Sequence, residues 1–338
     1  MMEMIKRALL AFSVVAMLAG TAWAEPVVLK FACFEPPKSF ALTKVFMPWV
    51  EQVNKAGKGF LKIDVYPGGV LGRNPLKQLE LVRNGVADIA WILPSYTPGL
   101  FEDDEVVEVP FLAKNALEAS VSIWRMFEKG MLSGYDNIHP LMLGAAQPYA
   151  VHSTFPVKVP GDMKDKKIRA VGKMQYYFAD AYGAIPVGRI PVPQIAEAMS
   201  RGVIQATLNE WNGIRTFRID DVAYYHCMVP LGTITFLVAM NKEKYESLSP
   251  EAKAVLDKYS GEPFVRSWGG EQDKDLAKYA EKIAHDPKHH VYTATGPVLE
   301  EWKTTLAPAV EKWIKDRPKG ATLIKAYKEE IAKVRAEK

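Results

Sequence analysis

The chain has 338 residues, 49% of them hydrophobic, and a formal net charge of +4. So mild an excess, with no basic stripe interleaved with aromatic residues, argues against a nucleic-acid partner. The length exceeds one comfortable core and implies two domains or one large α/β unit.

The first residues, MMEMIKRALLAFSVVAMLAGTAWAEP, have the form of an export signal. Lys6 and Arg7 supply the positive start, and Ala8 to Gly20 is an apolar run too short to span a bilayer. Ala22-Trp23-Ala24 has the small-x-small form of a cleavage site. The expectation is a soluble mature chain beginning at Glu25 outside the cytoplasm; the alternative is an uncleaved anchor. Two cysteines, Cys33 and Cys227, either pair in that oxidising compartment or stay as buried free thiols.

Val27 to Phe34 reads as a strand stopped by Pro36-Pro37, since proline cannot donate to a ladder. Residues 40–57 read as a helix with Phe46, Val50 and Val53 on one face and a stop at Gly57. LKIDVYP alternates as a strand, PLKQLELVRNG is a helix, and ADIAWIL is a buried strand. That order implies parallel pairing through right-handed crossovers. The style then repeats. HPLMLGAA, KKIRAV, IQATLNEW, TITFLVAMN and HHVYTA read as strands, and KMQYYFADAYGA and PQIAEAMSRG as helices. TITFLVAMN is apolar enough for a sheet interior. Ser249 caps a helix with Pro250 at its first position, and a longer helical pattern runs from Glu262 to His285. Lys/Glu-rich helices close the chain, and repeats are absent.

The signatures of common catalysts are missing: no G-x-S-x-G, no H-E-x-x-H, no phosphate-binding loop. His285, His289 and His290 are loosely spaced like metal ligands, but Asp286-Pro287 breaks a helix between them. EDDEVVE, from Glu102 to Glu108, reads as a solvated acidic loop, with cation binding as the lesser alternative. His226 and Cys227 are adjacent on a strand and so face opposite ways, which argues against a nucleophile pair. No cofactor or metal is expected. Open α/β sheets bind ligands beyond the carboxyl ends of their strands. That directs attention to Phe34-Glu35, Trp91 to Tyr96, Gln147 to Tyr149, Arg169, and Asn209 to Asn212. Arg169, set at the end of the short apolar strand in KDKKIRAVG, is either a solvated charge or a group awaiting an anion.

Several of these segments carry a resemblance. YPGGVLGRNPLKQLELVRNGVADIAWI resembles the first-domain signature of the solute-binding proteins of TRAP transporters. VPGDMKDKKIRAVGKMQYYFADAYGAIPVGRIPVPQIAEAMSRGVIQATLNEW is similar to that family's central motif, and MNKEKYESLSPEAKAVLD to the strand and helix that follow. The match runs in order through the mature chain. It implies a two-domain periplasmic receptor, each domain a mixed sheet flanked by helices, joined by hinge strands and a long domain-spanning helix. The expected division is residues 25–146 with 235–275, and 147–234 with 276–338. Such a receptor delivers an organic acid to TRAP membrane permease subunits and works as a monomer; a receptor feeding a sensor kinase has the same binding chemistry. The family's carboxylate-gripping arginine falls on Arg169 and its partner asparagine on Asn209.

The chain departs from many relatives. Tyr149 stands where sialic-acid receptors carry a second arginine, WILPSY replaces a polar pair, Phe34 replaces a polar residue, and Gln205-Ala206 replaces Asp-Gly. These losses argue against a dicarboxylate or a sugar acid. Phe34, Trp91, Tyr96, Tyr149 and Trp211 instead suggest an aromatic box around a monocarboxylate, with Gln147, Tyr96 and Tyr149 reading ring substituents. Arg189 is either a surface charge or a second anion contact. A periplasmic enzyme on the same architecture is the rival from another class, with Glu35 and Glu210 as its acid/base pair.

Overall fold

The computed structural model describes residues 25–337. The expected leader, residues 1–24, lies outside the described residues. β1 (Val27–Ala32) leads through a π-helical stretch (Ala41–Phe46) into α1 (Met47–Ala56), followed by β2 (Leu61–Tyr66), α2 (Gln78–Arg83) and β3 (Ile89–Ile92). A 3-10 segment at Glu102–Glu108 precedes α3 (Ala116–Glu128), β4 (Ile138–Ala145), β5 (Ala150–Ser153), β6 (Lys167–Arg169) and α4 (Gly172–Tyr182). Next come β7 (Ile185–Val187), α5 (Ile195–Ser200), β8 (Ala206–Asn209), α6 (Trp211–Thr216), β9 (Tyr225–Met228) and β10 (Thr235–Asn241). The chain ends with α7 (Lys242–Glu246), α8 (Pro250–Tyr259), α9 (Glu262–Ala284), β11 (His290–Thr293), α10 (Gly296–Lys315) and α11 (Gly320–Ala336).

Two mixed sheets form. The first has the order β2-β1-β3-β10-β4 and the second β11-β9-β5-β8-β6-β7. β1 pairs parallel with both β2 and β3, as the strand–helix alternation requires, and β10 runs antiparallel between β3 and β4. In the second sheet β6 is parallel to β7 and β8, while β5 is antiparallel to β8 and β9. The chain crosses between the sheets after β4, returns before β10, and crosses again within α9.

α9 is the long helix that spans both halves. Its first turns pack on α3 and β4, its last on α6 and β11. Gly269 permits the close approach to α3, since a Cβ there would come within 2.7 Å of the Leu117 backbone. Tyr279 meets Trp211 with ring centroids 5.8 Å apart, and Asp275 pairs with Arg215 at 2.7 Å. Ser249 caps α8 as read from the sequence, accepting from the Ala252 amide. α3, unread in the sequence, is buried on nearly every side between α9, α11 and β4, its polar residues Glu118, Ser120 and Ser122 included.

Two expectations require correction or resolution here. The Glu102–Glu108 segment is no solvated loop: Asp103, Asp104 and Glu108 are buried. Glu105 accepts from Arg317, from the Trp313 indole at 3.1 Å and from the Lys173 amide at 3.2 Å, and Asp104 accepts from the Tyr135 hydroxyl at 2.6 Å. Acidic composition was a poor guide because the partners arrive from α10, α4 and the loop after α3, far away in sequence. The cysteines are free and buried: Cys33 follows β1 in the first sheet, whereas Cys227 lies in β9 of the second.

Candidate functional site

A cleft lies between the two sheets, at the carboxyl ends of β1, β3, β6 and β8. Its lining includes Phe34, Glu35, Leu93, Tyr96, Tyr149, Arg169, Val192, Asn209, Glu210 and Asn212, with Phe217, Phe236, Trp268 and Gln272 completing the walls. The cavity volume is about 40 Å³.

Arg169 ends β6, held by parallel neighbours Val187 and Thr207. It is 4% exposed. Its Nε donates to the Ile190 carbonyl at 2.7 Å and one Nη2 hydrogen to the Tyr96 hydroxyl at 3.3 Å. The Tyr96 hydroxyl in turn accepts from the Val192 amide at 2.9 Å, so the ring is fixed as a support for the guanidinium. Among the described residues no carboxylate lies within ion-pair distance of Arg169. A guanidinium has five N–H donors, and three remain for an incoming group. A buried cation without a counter-charge is costly, and an anionic ligand relieves that cost.

Asn209 ends β8 beside it. Its Oδ1 accepts from the Thr207 hydroxyl at 3.1 Å and its Nδ2 donates to Glu210 at 3.2 Å, leaving one amide hydrogen. Glu210 caps α6, accepting from the Gly213 amide at 2.8 Å. Gly213 is required there, because a Cβ would come within 2.5 Å of Glu210 Oε1. Burial pushes the Glu210 carboxyl up to about 7; its backbone hydrogen bonds oppose the rise and the charge of Glu35 adds to it. Burial also raises Glu35, whose Oε1 accepts from the Trp91 indole at 3.1 Å, and raises the Tyr96 and Tyr149 hydroxyls.

Five of the eight residues expected from sequence line the cavity: Phe34, Tyr96, Tyr149, Arg169 and Asn209. Trp91, Trp211 and Gln147 do not. Trp91 is a core residue, stacked on Phe236 at 4.8 Å and set edge-on to Phe46 at 4.8 Å. Trp211 points into the second half, against His152 at 4.7 Å and His226 at 4.8 Å. Those imidazoles form a chain, His152 to His226 and His226 to His289, each link 2.8 Å. Gln147 donates to the Gln272 carbonyl of α9 and serves the crossing between sheets. Arg189 is exposed on the rim of a neighbouring cleft and outside this lining. The sequence reading missed Trp268, Phe236 and Phe217, and marked Asn212 only as the end of the strand-end stretch Asn209 to Asn212. Trp268 comes from the spanning helix, where a bulky ring followed by Gly269-Gly270 was the available signal.

A buried arginine thus faces an aromatic-walled cleft between two mixed sheets. The model of the bacterial extracellular solute-binding protein family 7 matches residues 31–316. The chain belongs to this family. A marine metagenome TRAP solute-binding protein described as specific for aromatic acid ligands, solved with metahydroxyphenylacetate, is 31% identical with a TM-score of 0.85; the match covers 91% of this chain and 99% of that one. A TRAP solute-binding protein from Rhodoferax ferrireducens T118, solved with copurified benzoate, is 29% identical with a TM-score of 0.84, covering 92% and 99%. The C4-dicarboxylate-binding periplasmic protein DctP of Rhodobacter capsulatus is 24% identical, covering 86% of this chain and 87% of its own. In family terms this chain is a TRAP-type solute-binding protein, and its Arg169 and Asn209 stand at strand ends.

Proposed function

We propose that this receptor captures an aromatic monocarboxylate in the periplasm and hands it to the membrane subunits of a TRAP transporter. Arg169 takes the carboxylate through a planar fork that matches two oxygens at once. Asn209 supplies a further donor, and Phe34, Phe236, Trp268 and Tyr149 enclose the ring. The observation that carries this reading is the pairing of one buried, uncompensated arginine with walls of aromatic rings and no second cation in the lining.

The cavity, about 40 Å³, is smaller than the roughly 150 Å³ that admits benzene in an engineered protein core. An aromatic acid therefore requires the halves to part, and in the complex they close around it on a cavity wider than this one, with closure driven by its higher affinity for the closed state. The hinge is assigned to the crossings at 146/147 and 234/235 and to α9. The lobes are residues 25–146 with 235–275, and 147–234 with 276–319; α11 packs on α3 and goes with the first. The receptor acts by binding, without turnover, as a monomer exported by its leader.

A thermal-shift screen of residues 25–338 tests the reading. Benzoate-class acids are expected to stabilise the protein by about 2.7 kcal/mol at a hundred times Kd, whereas C4-dicarboxylates and sugar acids give no shift. A shift from only the latter two classes overturns it.

A further inference from the structure

Two polar groups of the cavity are unused by carboxylate capture. Asn212, two residues beyond the Glu210 cap and 8% exposed, has a buried Nδ2 with no hydrogen-bond partner. Glu210 is 7% exposed, and its two oxygens accept from its own backbone amide, from the Gly213 amide and from the Asn209 side chain. Each carboxylate oxygen has two lone pairs, so acceptor capacity remains. Asn212, Gly213, Thr216 and Phe217 turn one face of α6 to the cavity. The cavity thus holds a spare donor and, two residues earlier in the chain, a spare anionic acceptor, and no cation is paired with Glu210 among the described residues. A hydroxyl group, which accepts one hydrogen bond and donates one, satisfies both; an aromatic C–H satisfies neither.

We propose that Asn212 and Glu210 are specificity-determining residues that read a ring hydroxyl, so that the preferred cargo is a hydroxylated aromatic monocarboxylate and the preference over the unsubstituted acid widens as pH rises. This rests on the aromatic-acid reading of the same cavity. The groups facing Glu210 are Glu35 after β1, Tyr96 after β3, Tyr149 before β5, Arg169 on β6, Asn209 on β8 and Gln272 on α9. Their influence, and that of the incoming carboxylate, is shared by both acids and cancels in the ratio of their affinities. What differs is the contact at Glu210. An unsubstituted ring edge disfavours the ionised carboxyl, so binding takes up a proton and weakens once pH passes about 7. A hydroxyl donating to the carboxylate favours the ionised form and removes that loss.

Calorimetric titrations with benzoate, 3-hydroxybenzoate and 4-hydroxybenzoate at pH 6 and pH 8 test this. At pH 8 at least one hydroxybenzoate is expected to bind about tenfold or more tightly than benzoate, and the ratio to shrink by about tenfold at pH 6. Glu210→Gln keeps a side-chain acceptor for the cap and should make the ratio independent of pH; Asn212→Ala should lower it at both pH values. The wild-type ratio alone suffices should either variant fail to fold. Equal affinities for benzoate and both hydroxybenzoates at pH 8, or a ratio unchanged between pH 6 and pH 8, overturns the proposal while leaving the aromatic-acid reading intact. Binding of dicarboxylates with no response to any of the three aromatic acids overturns both.

Discussion

Arg169→Ala is expected to raise the Kd for an aromatic monocarboxylate at least about thirtyfold. Truncating one partner of a desolvated, hydrogen-bonded charge pair costs about 2–5 kcal/mol or more, and each 1.4 kcal/mol is a factor of ten. Arg169→Lys keeps the charge but loses the fork and the Nε bond to the Ile190 carbonyl, and should lose about tenfold or more. Folding should suffer little. The hydrogen bonds lost to Ile190 and Tyr96 are offset by removing a buried cation that has no carboxylate partner among the described residues. The two effects therefore separate: titration calorimetry reads the loss of binding, and a melting curve without ligand reads stability. An alanine variant that binds benzoate within a few-fold of the wild type would remove Arg169 from the site.

The second large effect concerns pH and stability. Asp104 is 2% exposed, receives the Tyr135 hydroxyl at 2.6 Å and the Thr235 hydroxyl at 3.5 Å, and has a second oxygen without a partner. Burial pushes its carboxyl up to about 8, helped by the neighbouring charges of Asp103 and Glu105. Unfolded, the same group titrates near 4. Between those values the unfolded chain carries the ion while the folded one keeps the proton. Asp104 therefore contributes stability that is full below about pH 4 and is lost as pH rises towards 8, at up to about 1.4 kcal/mol per pH unit. Glu35, Glu108 and Glu210 are raised by burial as well and act in the same direction. Asp104→Asn should flatten the decline between pH 5 and pH 8 by about that slope and exceed the wild type in stability at pH 8. Urea unfolding at pH 5, 6, 7 and 8 measures it; parallel slopes for the two proteins would show that Asp104 is ionised in the fold.

The fold was largely legible because its strands are short apolar runs and its helices carry proper starts and stops. Ser249 and the parallel order of β1, β2 and β3 are local signals with local causes. Arg169 stood out for the same reason: a lone guanidinium finishing an apolar strand is a local anomaly. The aromatic residues were harder. β3 is buried on both faces, so alternation could not tell that Trp91 packs against Phe46 and Phe236 and stays out of the cleft. Trp211 follows directly on the β8 end that holds Asn209, yet the first turn of α6 sends its ring towards His152 and Tyr279. Trp268 was hidden because it reaches the cleft from α9, more than fifty residues after Asn209, and depends on how that helix crosses both sheets. Glu210 and Asn212 were visible as residues beside Asn209. Their roles depend on which hydrogen bonds are left unmade, and only the folded arrangement reveals that.

A crystal structure of the complex with the best-binding benzoate-class acid tests the central claim most directly. The account predicts the ligand carboxylate within hydrogen-bond distance of the Arg169 guanidinium, about 2.7–2.9 Å, and the ring held among Phe34, Tyr149, Phe236 and Trp268. A ligand bound with its carboxylate elsewhere and Arg169 still without an anion would contradict it.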